Sequence, residues 1–292
     1  MTRRQILPAL AGFAAFPGLL RNAWGERTSG SAIKLGAQTN AWAIDPNHFE
    51  SFLDVLGQIR SIGYSGFETG FLNLSKQFPS PEPARSAITK TGLTFFGIHI
   101  FLQPEKLDPM TKLPPASLYE GVAHGGAALG AQRLIFSGGP AVTTDDLSSK
   151  IAALNTAGAF AKKAGLRFAY HNHWWEFQSK LGEIEALYTE TDSDVVSFLL
   201  DAGHAYRGGA DVPEFLRKHY RRITGIHLRD YHDGKQVPLG EGSFPLADVA
   251  GTLQQLGWDG WVLNEEERED GSKLGRSVME PSFAAMKKVF PQ

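Results

Sequence analysis

The chain has 292 residues, 42% hydrophobic and 21% charged, with a formal net charge of -2 and no cysteine. That length suits one large domain or two modest ones, and the profile is that of an ordinary globular chain. The near-neutral balance, with no basic stripe, argues against a nucleic-acid binder held by phosphates, and the missing cysteines exclude disulfides and thiolate metal sites. Any metal must then be held by His, Asp and Glu, which suits Mn, Mg, Zn or Fe(II).

The chain opens with MTRRQIL, where Arg3 and Arg4 precede the apolar run ILPALAGFAAFPGLL. Pro8 and Pro17 break that run, so it is a poor membrane span. A charged start, an apolar middle and a polar flank are the marks of a signal peptide, here of the twin-arginine type used for proteins exported folded. Residues 1–30 are therefore expected to be a signal peptide and flank. The expected location is periplasmic, with no stable membrane insertion after processing.

Residues 32–292 form the body. Strand-like stretches lie at 32–39, 64–70, 93–100, 131–137, 166–172, 195–202, 223–230 and 260–266. Most start about thirty residues apart, the length of one strand and its crossover helix. Several are nearly continuous apolar runs, as parallel strands covered on both faces require. Between them the apolar residues recur at helical spacing. Phe49, Phe52, Leu53, Leu56 and Ile59 form one stripe, with Asp45 and Pro46 suited to its start and Gly63 to its stop. Leu147, Ile151, Leu154, Ala157 and Ala161 form another, closed by Gly165, and Val249, Leu253 and Leu256 a third. Eight such units predict an α/β fold, a single-domain (β/α)8 TIM barrel. A doubly wound sheet would carry a glycine-rich phosphate turn after its first strand, and LGAQTNAWA has none.

In this barrel the functional groups sit at the C-terminal ends of the strands. Those ends carry Gln38 and Asn40, Glu68, His99, Ser137, His171 with His173, Asp201 with His204, His227 with Asp230, and Glu265. Six of the nine histidines, counting His232, lie at or just past such an end. Taken singly each has an ordinary explanation: Asp201 suits a helix cap, and the tryptophans suit the core. Most of the run EEERED is expected to be solvated. Taken together, strands five to eight each bring a carboxylate or imidazole to one rim. Burying them uncompensated would cost several kcal/mol each, roughly, and a divalent ion removes that cost.

The segments LLDAGHA, GIHLRDY, VPLGEGSFP and GWVLNEE, in this order and spacing, resemble the xylose isomerase-like TIM barrels. The resemblance covers essentially all of residues 32–292. It implies a metal-dependent sugar isomerase or epimerase acting on a ketose, inosose or related keto-sugar, by proton abstraction beside a carbonyl through an enediolate. Its divalent ion would be held by Asp201, His227 and Glu265. The fourth ligand place, a glutamate in relatives, is taken here by His171, with His173 as the alternative. Glu265 would act as the proton-transfer group. His171 or Glu176 would supply the second catalytic group, and the missing second glutamate also suits a lyase or dehydratase. His204, His99 and His173 would contact substrate, while Trp42 and Trp175 would stack on a sugar face. The expected partner is a small carbohydrate, with no nucleic acid, and homo-oligomers are compatible. A non-catalytic exported sugar-binding barrel is the reading from another class.

Overall fold

The computed structural model describes residues 33–291. The signal peptide and flank expected over residues 1–30 lie outside the described residues. In chain order the first half contains β1 (Lys34–Gln38), α1 (Phe49–Ile62), β2 (Gly66–Gly70), α2 (Pro81–Lys90), β3 (Thr94–Ile100), α3 (Ala116–Leu129), β4 (Arg133–Ser137) and α4 (Thr144–Lys163). The second half contains β5 (Arg167–His171), α5 (Trp174–Gln178), α6 (Glu183–Glu190), β6 (Ser197–Asp201), α7 (Ala202–Arg207), α8 (Val212–His219) and β7 (Ile223–Leu228). It ends with β8 (Asp230–His232), β9 (Lys235–Val237), α9 (Leu246–Gln255), β10 (Trp261–Asn264) and α10 (Arg276–Val289).

β1 to β7 and β10 close into a parallel barrel in the order β1-β10-β7-β6-β5-β4-β3-β2. All eight expected strands are present, each shorter than or equal to its predicted range. The seventh departs most. Its apolar pattern predicts a strand to Asp230, but β7 stops at Leu228 and the chain turns into the antiparallel hairpin β8–β9, with Asp230 opposite Val237. Among the described residues no helix is long and apolar enough to cross a membrane.

The helices start and stop for local reasons. Gly63, at φ 118°, ends α1 and donates its N–H to the Ile59 and Arg60 carbonyls. Asp45 does not cap that helix: it closes the preceding turn, accepting from Asn47 N at 2.8 Å. At α4, Thr143 Oγ1 accepts from Asp146 N while Asp146 Oδ2 accepts from Thr143 N, a reciprocal cap.

Inside the barrel Phe96, Ile135, Ala169, Leu199, Trp261 and Leu263 form a buried cluster of their own. Glycine makes room for it: a Cβ on Gly225 would come within 2.6 Å of Phe96 and 2.8 Å of Leu199. Side chains alternate along a strand, so two residues beyond this layer the chain again faces inward. Those positions are Ser137 after Ile135, His171 after Ala169, Asp201 after Leu199, His227 after Gly225 and Glu265 after Leu263. Neighbouring strands keep them level, with Ser137 opposite His171 and Asp201 opposite His227. A two-residue period therefore puts the polar strand ends on the floor of one rim.

Asp230, next to that rim, has a different task. Its carboxylate accepts from the backbone N–H groups of Tyr231, Gly240, Gly242 and Phe244 at 2.8–3.0 Å. It thereby folds the LGEGSF segment around itself, and a Cβ on Gly242 would collide with it. His232 sits at the hairpin's end with its side chain 67% exposed beside Asp233, and so leaves the group of strand-end histidines. Replacing Asp230 with Ala orphans buried amides that a carboxylate now satisfies. Asp230→Ala is expected to lower stability by about 3 kcal/mol or more, measured by urea unfolding. A loss below about 1 kcal/mol would show that the loop holds itself.

Candidate metal centre

Five side chains on the barrel floor form a closed circuit of polar contacts. Glu68 Oε1 meets His99 Nδ1 at 2.9 Å, and His99 Nε2 meets Ser137 Oγ at 2.8 Å. Ser137 Oγ meets His171 Nδ1 at 3.2 Å, and His171 Nε2 meets His227 Nδ1 at 3.1 Å. His227 Nε2 returns to Glu68 Oε2 at 2.9 Å. All five are buried.

The circuit has one consistent polarity when the imidazoles are neutral. An ionised carboxylate only accepts, so both histidines beside Glu68 donate to it. His99 then has its lone pair on Nε2 and receives the Ser137 hydroxyl proton. The serine oxygen is left to accept from His171 Nδ1–H. His171 Nε2 and His227 Nδ1 therefore both present lone pairs, facing each other. Such an arrangement repels itself unless something positive lies between the nitrogens.

Two carboxylates point into the same gap. Asp201 Oδ2 lies 3.3 Å and Glu265 Oε2 3.5 Å from His171 Nε2. One donor atom each from His171, Asp201, His227 and Glu265 lies within 4.8 Å of all the others. Ligands about 2.1 Å from one ion stand about 3–4 Å apart, so this set fits a single dication. The remaining oxygens are already used. Asp201 Oδ1 caps α7 by accepting from His204 N at 2.7 Å, and Glu265 Oε1 accepts from Asn40 Nδ2 at 2.9 Å. Glu265 Oε2 is buried and receives no well-directed hydrogen bond. The carboxylate behind His227 is the partner that a metal-ligating imidazole characteristically has.

The electrostatics agree. Burial pulls the His227 imidazolium down, but Glu68 and Glu265 outweigh it and hold the group at about 10. Burial likewise opposes a charged His171, and Asp201 and Glu265 still raise it. Burial pushes Glu68 up, yet His227 and His99 bring it to about 2. Arg229 reaches in from the start of the hairpin, with Nε 2.6 Å from Asp201 Oδ2 and Nη2 2.7 Å from Glu265 Oε2. Glu68, Asp201 and Glu265 thus face one buried guanidinium. With neutral imidazoles two negative charges remain, the charge a dication would neutralise.

A cavity opens above this floor. Of the four cluster members, His171 and Glu265 line it, together with His99, His173, Arg229 and Glu267 on its polar side. Gly70, Phe71, Leu72 and Phe101 form the apolar side. His171, and not His173, belongs to the four-residue cluster. His173 stands higher, stacked on Trp175 with ring centroids 4.1 Å apart, and its Nδ1 is buried without a partner. His99 borders the cavity, but both its nitrogens are engaged in the circuit. His204 is buried beside Asp201, and burial holds its imidazole down at about 3 despite that carboxylate. Trp42 is absent from the cavity lining, and its indole N–H goes to Gln58 at 3.0 Å.

Glu176 also turns away from the cavity. Its oxygens accept from Tyr170 Oη at 2.7 Å and His173 N at 2.8 Å, with Lys150 Nζ 3.7 Å away. Lys150 is fully buried, and it donates to Glu183 Oε1 at 2.7 Å and Gly139 O at 2.9 Å. The sequence marks Glu68 only as one strand end among eight, and it offers no signal for Lys150 or Arg229. Each is one charged residue in an ordinary strand or helix pattern, and its partners lie far along the chain. In the EEERED run, Glu265 and Glu266 are both buried, which corrects the expectation that most of it is solvated for those two residues only.

The xylose isomerase-like TIM barrel family profile matches residues 56–287. An inosose dehydratase of Lacticaseibacillus casei is 27% identical over 154 residues, covering 46% of this chain and 52% of the relative. The chain thus spans about half the length of the curated relatives it matches. The structure of a sugar phosphate isomerase/epimerase from Parabacteroides distasonis superposes with a TM-score of 0.65 at 19% identity, covering 90% of this chain and 98% of that one. The 3-keto-D-glucoside 4-epimerase of E. coli gives 0.65 at 16%, covering 88% and 99%. These structures share the fold.

The floor and its support can each be tested. Chelator-stripped protein should bind one dication per chain, and Glu68→Gln should weaken that binding about 10- to 100-fold by calorimetry, because the His227 tautomer is no longer set. Equal affinities would remove Glu68 from the design. For Glu176, burial outweighs Lys150 and raises the carboxyl from 4.5 to about 7. The folded state therefore holds its proton more tightly than the unfolded one, so stability falls as pH rises through this interval. At about 1.4 kcal/mol per unit, the wild type should lose about 3 kcal/mol more than Glu176→Gln between about pH 4.5 and 7.5. Parallel stability profiles in urea would contradict this.

Proposed function

The chain belongs to the xylose isomerase-like TIM barrel family, and from that premise we propose that it is a dication-dependent enzyme acting on a keto-sugar, keto-glycoside or keto-inositol. Its first step is removal of the proton beside the ketone. The ion, held by His171, Asp201, His227 and Glu265, would supply Lewis-acid polarisation of the carbonyl. Glu265 is the base: it is the carboxylate of the cluster that lines the cavity. Asn40 and Arg229 fix its orientation, so its position is set before substrate arrives.

After proton removal the reaction proceeds by elimination. The supporting observation is the single carboxylate. Epimerisation needs a second proton-transfer group on the opposite face, and His171 occupies the place where relatives carry a glutamate. Its Nδ1 proton is directed to Ser137 and its Nε2 to the cluster. Glu176 is committed to Tyr170 and the His173 amide. Glu265 can serve alone: it takes the proton as the C–H bond breaks. It then returns that proton to the oxygen leaving the next carbon, as the alkene forms and the C–O bond breaks. His173, with its unpartnered Nδ1 in the cavity wall, is placed for a hydroxyl of the substrate. The isomerase or epimerase reading shares the first step and draws on the resemblance to such enzymes.

The near-neutral charge and the modest cavity suit an uncharged small carbohydrate. Arg3 and Arg4 before the apolar run are the grounds for proposing export. The test is NMR in D2O with ketoses, inososes and 3-keto-glycosides, in the presence of Mn(II), Mg(II) or Zn(II). A conjugated alkene product is expected, and Glu265→Gln should cut turnover by about a thousandfold without loss of folding. Solvent deuterium beside the carbonyl with no alkene would replace elimination by isomerisation. An unchanged rate for Glu265→Gln would remove it as the base, and activity that survives chelation would defeat the role of the ion.

A further inference from the structure

Arg229 is only 3% exposed on the barrel floor, and its guanidinium makes its two shortest contacts to the two carboxylates of the cluster. The oxygens it touches are the ones left free for an ion. Asp201 Oδ1 is bound to His204 N, and Oδ2 accepts from Arg229 Nε at 2.6 Å. Glu265 Oε1 is bound to Asn40, and Oε2 lies 2.7 Å from Arg229 Nη2. A dication seated among the four side chains would have to share or take both of these oxygens. It would also bring two positive charges to within a few ångströms of a third, in a site with little water to screen them.

The guanidinium has another anion within reach. Nη1 stands 3.6 Å from Glu267 Oε2, whose side chain is 45% exposed and belongs to the cavity lining. We propose that Arg229 is a built-in rival of the dication, with two positions. In one it bridges Asp201 and Glu265. In the other it withdraws along the cavity wall toward Glu267, leaving both inner oxygens to the ion. Arg229 thereby keeps two buried carboxylates from standing unpaired, holds them converged for the ion, and sets a ceiling on how tightly the ion is held. This inference rests on the dication reading given above and concerns affinity, not the reaction.

Calorimetry with Mn(II) on the chelator-stripped full-length protein tests it. Arg229→Gln removes the rival charge and is expected to bind Mn(II) at least tenfold more tightly than the wild type. Glu267→Gln, a change at the cavity mouth that leaves the inner pairs intact, should bind three- to tenfold more weakly, because the displaced guanidinium loses its second anchor. A wild-type measurement covers the case in which Arg229→Gln does not fold. With Zn(II) as the diamagnetic probe, the Arg229 Nε–H resonance should move and exchange faster with solvent as the ion is added. Wild-type binding with an Arg229→Gln affinity equal or weaker, or an Nε–H signal indifferent to the ion, overturns the rivalry and leaves the dication reading standing. Wild-type affinity in Glu267→Gln overturns the outward position. If neither the wild type nor Arg229→Gln binds Mn(II), the dication reading itself fails and the inference falls with it.

Discussion

One carboxylate, Glu68, gives the barrel floor its polarity. It accepts from His99 on one oxygen and from His227 on the other, and neither contact can run in reverse while it is ionised. Those two bonds dictate the proton positions of His99, Ser137 and His171 in turn. The result is a pair of imidazole lone pairs aimed at each other, at the point where Asp201 and Glu265 also aim. The site is thus organised from strand β2, on the far side of the barrel from three of the groups it directs. Closure of the barrel makes this possible, since only a closed sheet brings β2 and β7 to opposite walls of one small floor.

A floor of this kind is expensive for folding. Three buried carboxylates repel one another and have lost their water. Arg229 offsets part of that cost, and its location decides what the site can accept. The guanidinium is tied to the floor, so it is not a free cation waiting for a phosphate. Glu267 adds negative charge at the mouth. The cavity is accordingly suited to a neutral ligand with hydroxyl and carbonyl oxygens. Its apolar side, from Gly70 to Phe101, matches the C–H faces of a sugar ring or a less polar substituent.

Much of this was legible in the sequence because a strand's period is two. Once eight strands are placed, the residues ending each apolar run must face the same interior, and His171, Asp201, His227 and Glu265 are among them. The choice between His171 and His173 is geometric: both face one side of the strand line, but β5 ends at His171 and the chain turns into α5. Pairing across the barrel could not be read. Glu68 in YSGFETG and Arg229 in GIHLRDY look like any charged residue at a strand end, and their importance lies in partners 159 and 28 residues away. Glu176 misled for the same reason. Its position beside two histidines and two tryptophans suggests a site, while its actual environment is Tyr170 and Lys150, the latter from a helix whose stripe showed nothing unusual. Trp42 likewise obeys the ordinary rule for a large aromatic residue: it is buried, with its N–H satisfied.

The Lys150 group separates two tasks that the stretch FAYHNHWWEF places side by side. Lys150 and Glu183 bind the loop after β4 and the start of α6, while Glu176 reaches back to the His173 amide. These contacts lie behind the cavity wall and fix where β5 gives way to α5. They leave His171 on the floor with the ion-binding groups and lift His173 and Trp175 into the wall, with Phe101 facing His173 at 5.8 Å. The floor is a polar circuit with every proton assigned, and it has little freedom to adapt. The wall is a set of stacked rings with unpartnered nitrogens on His173 and Trp175. Chemistry that requires fixed charge belongs to the first, and the discrimination between one carbohydrate and another belongs to the second. Two histidines only two residues apart can therefore diverge in role, because a buried lysine on a different helix decides which of them the barrel keeps.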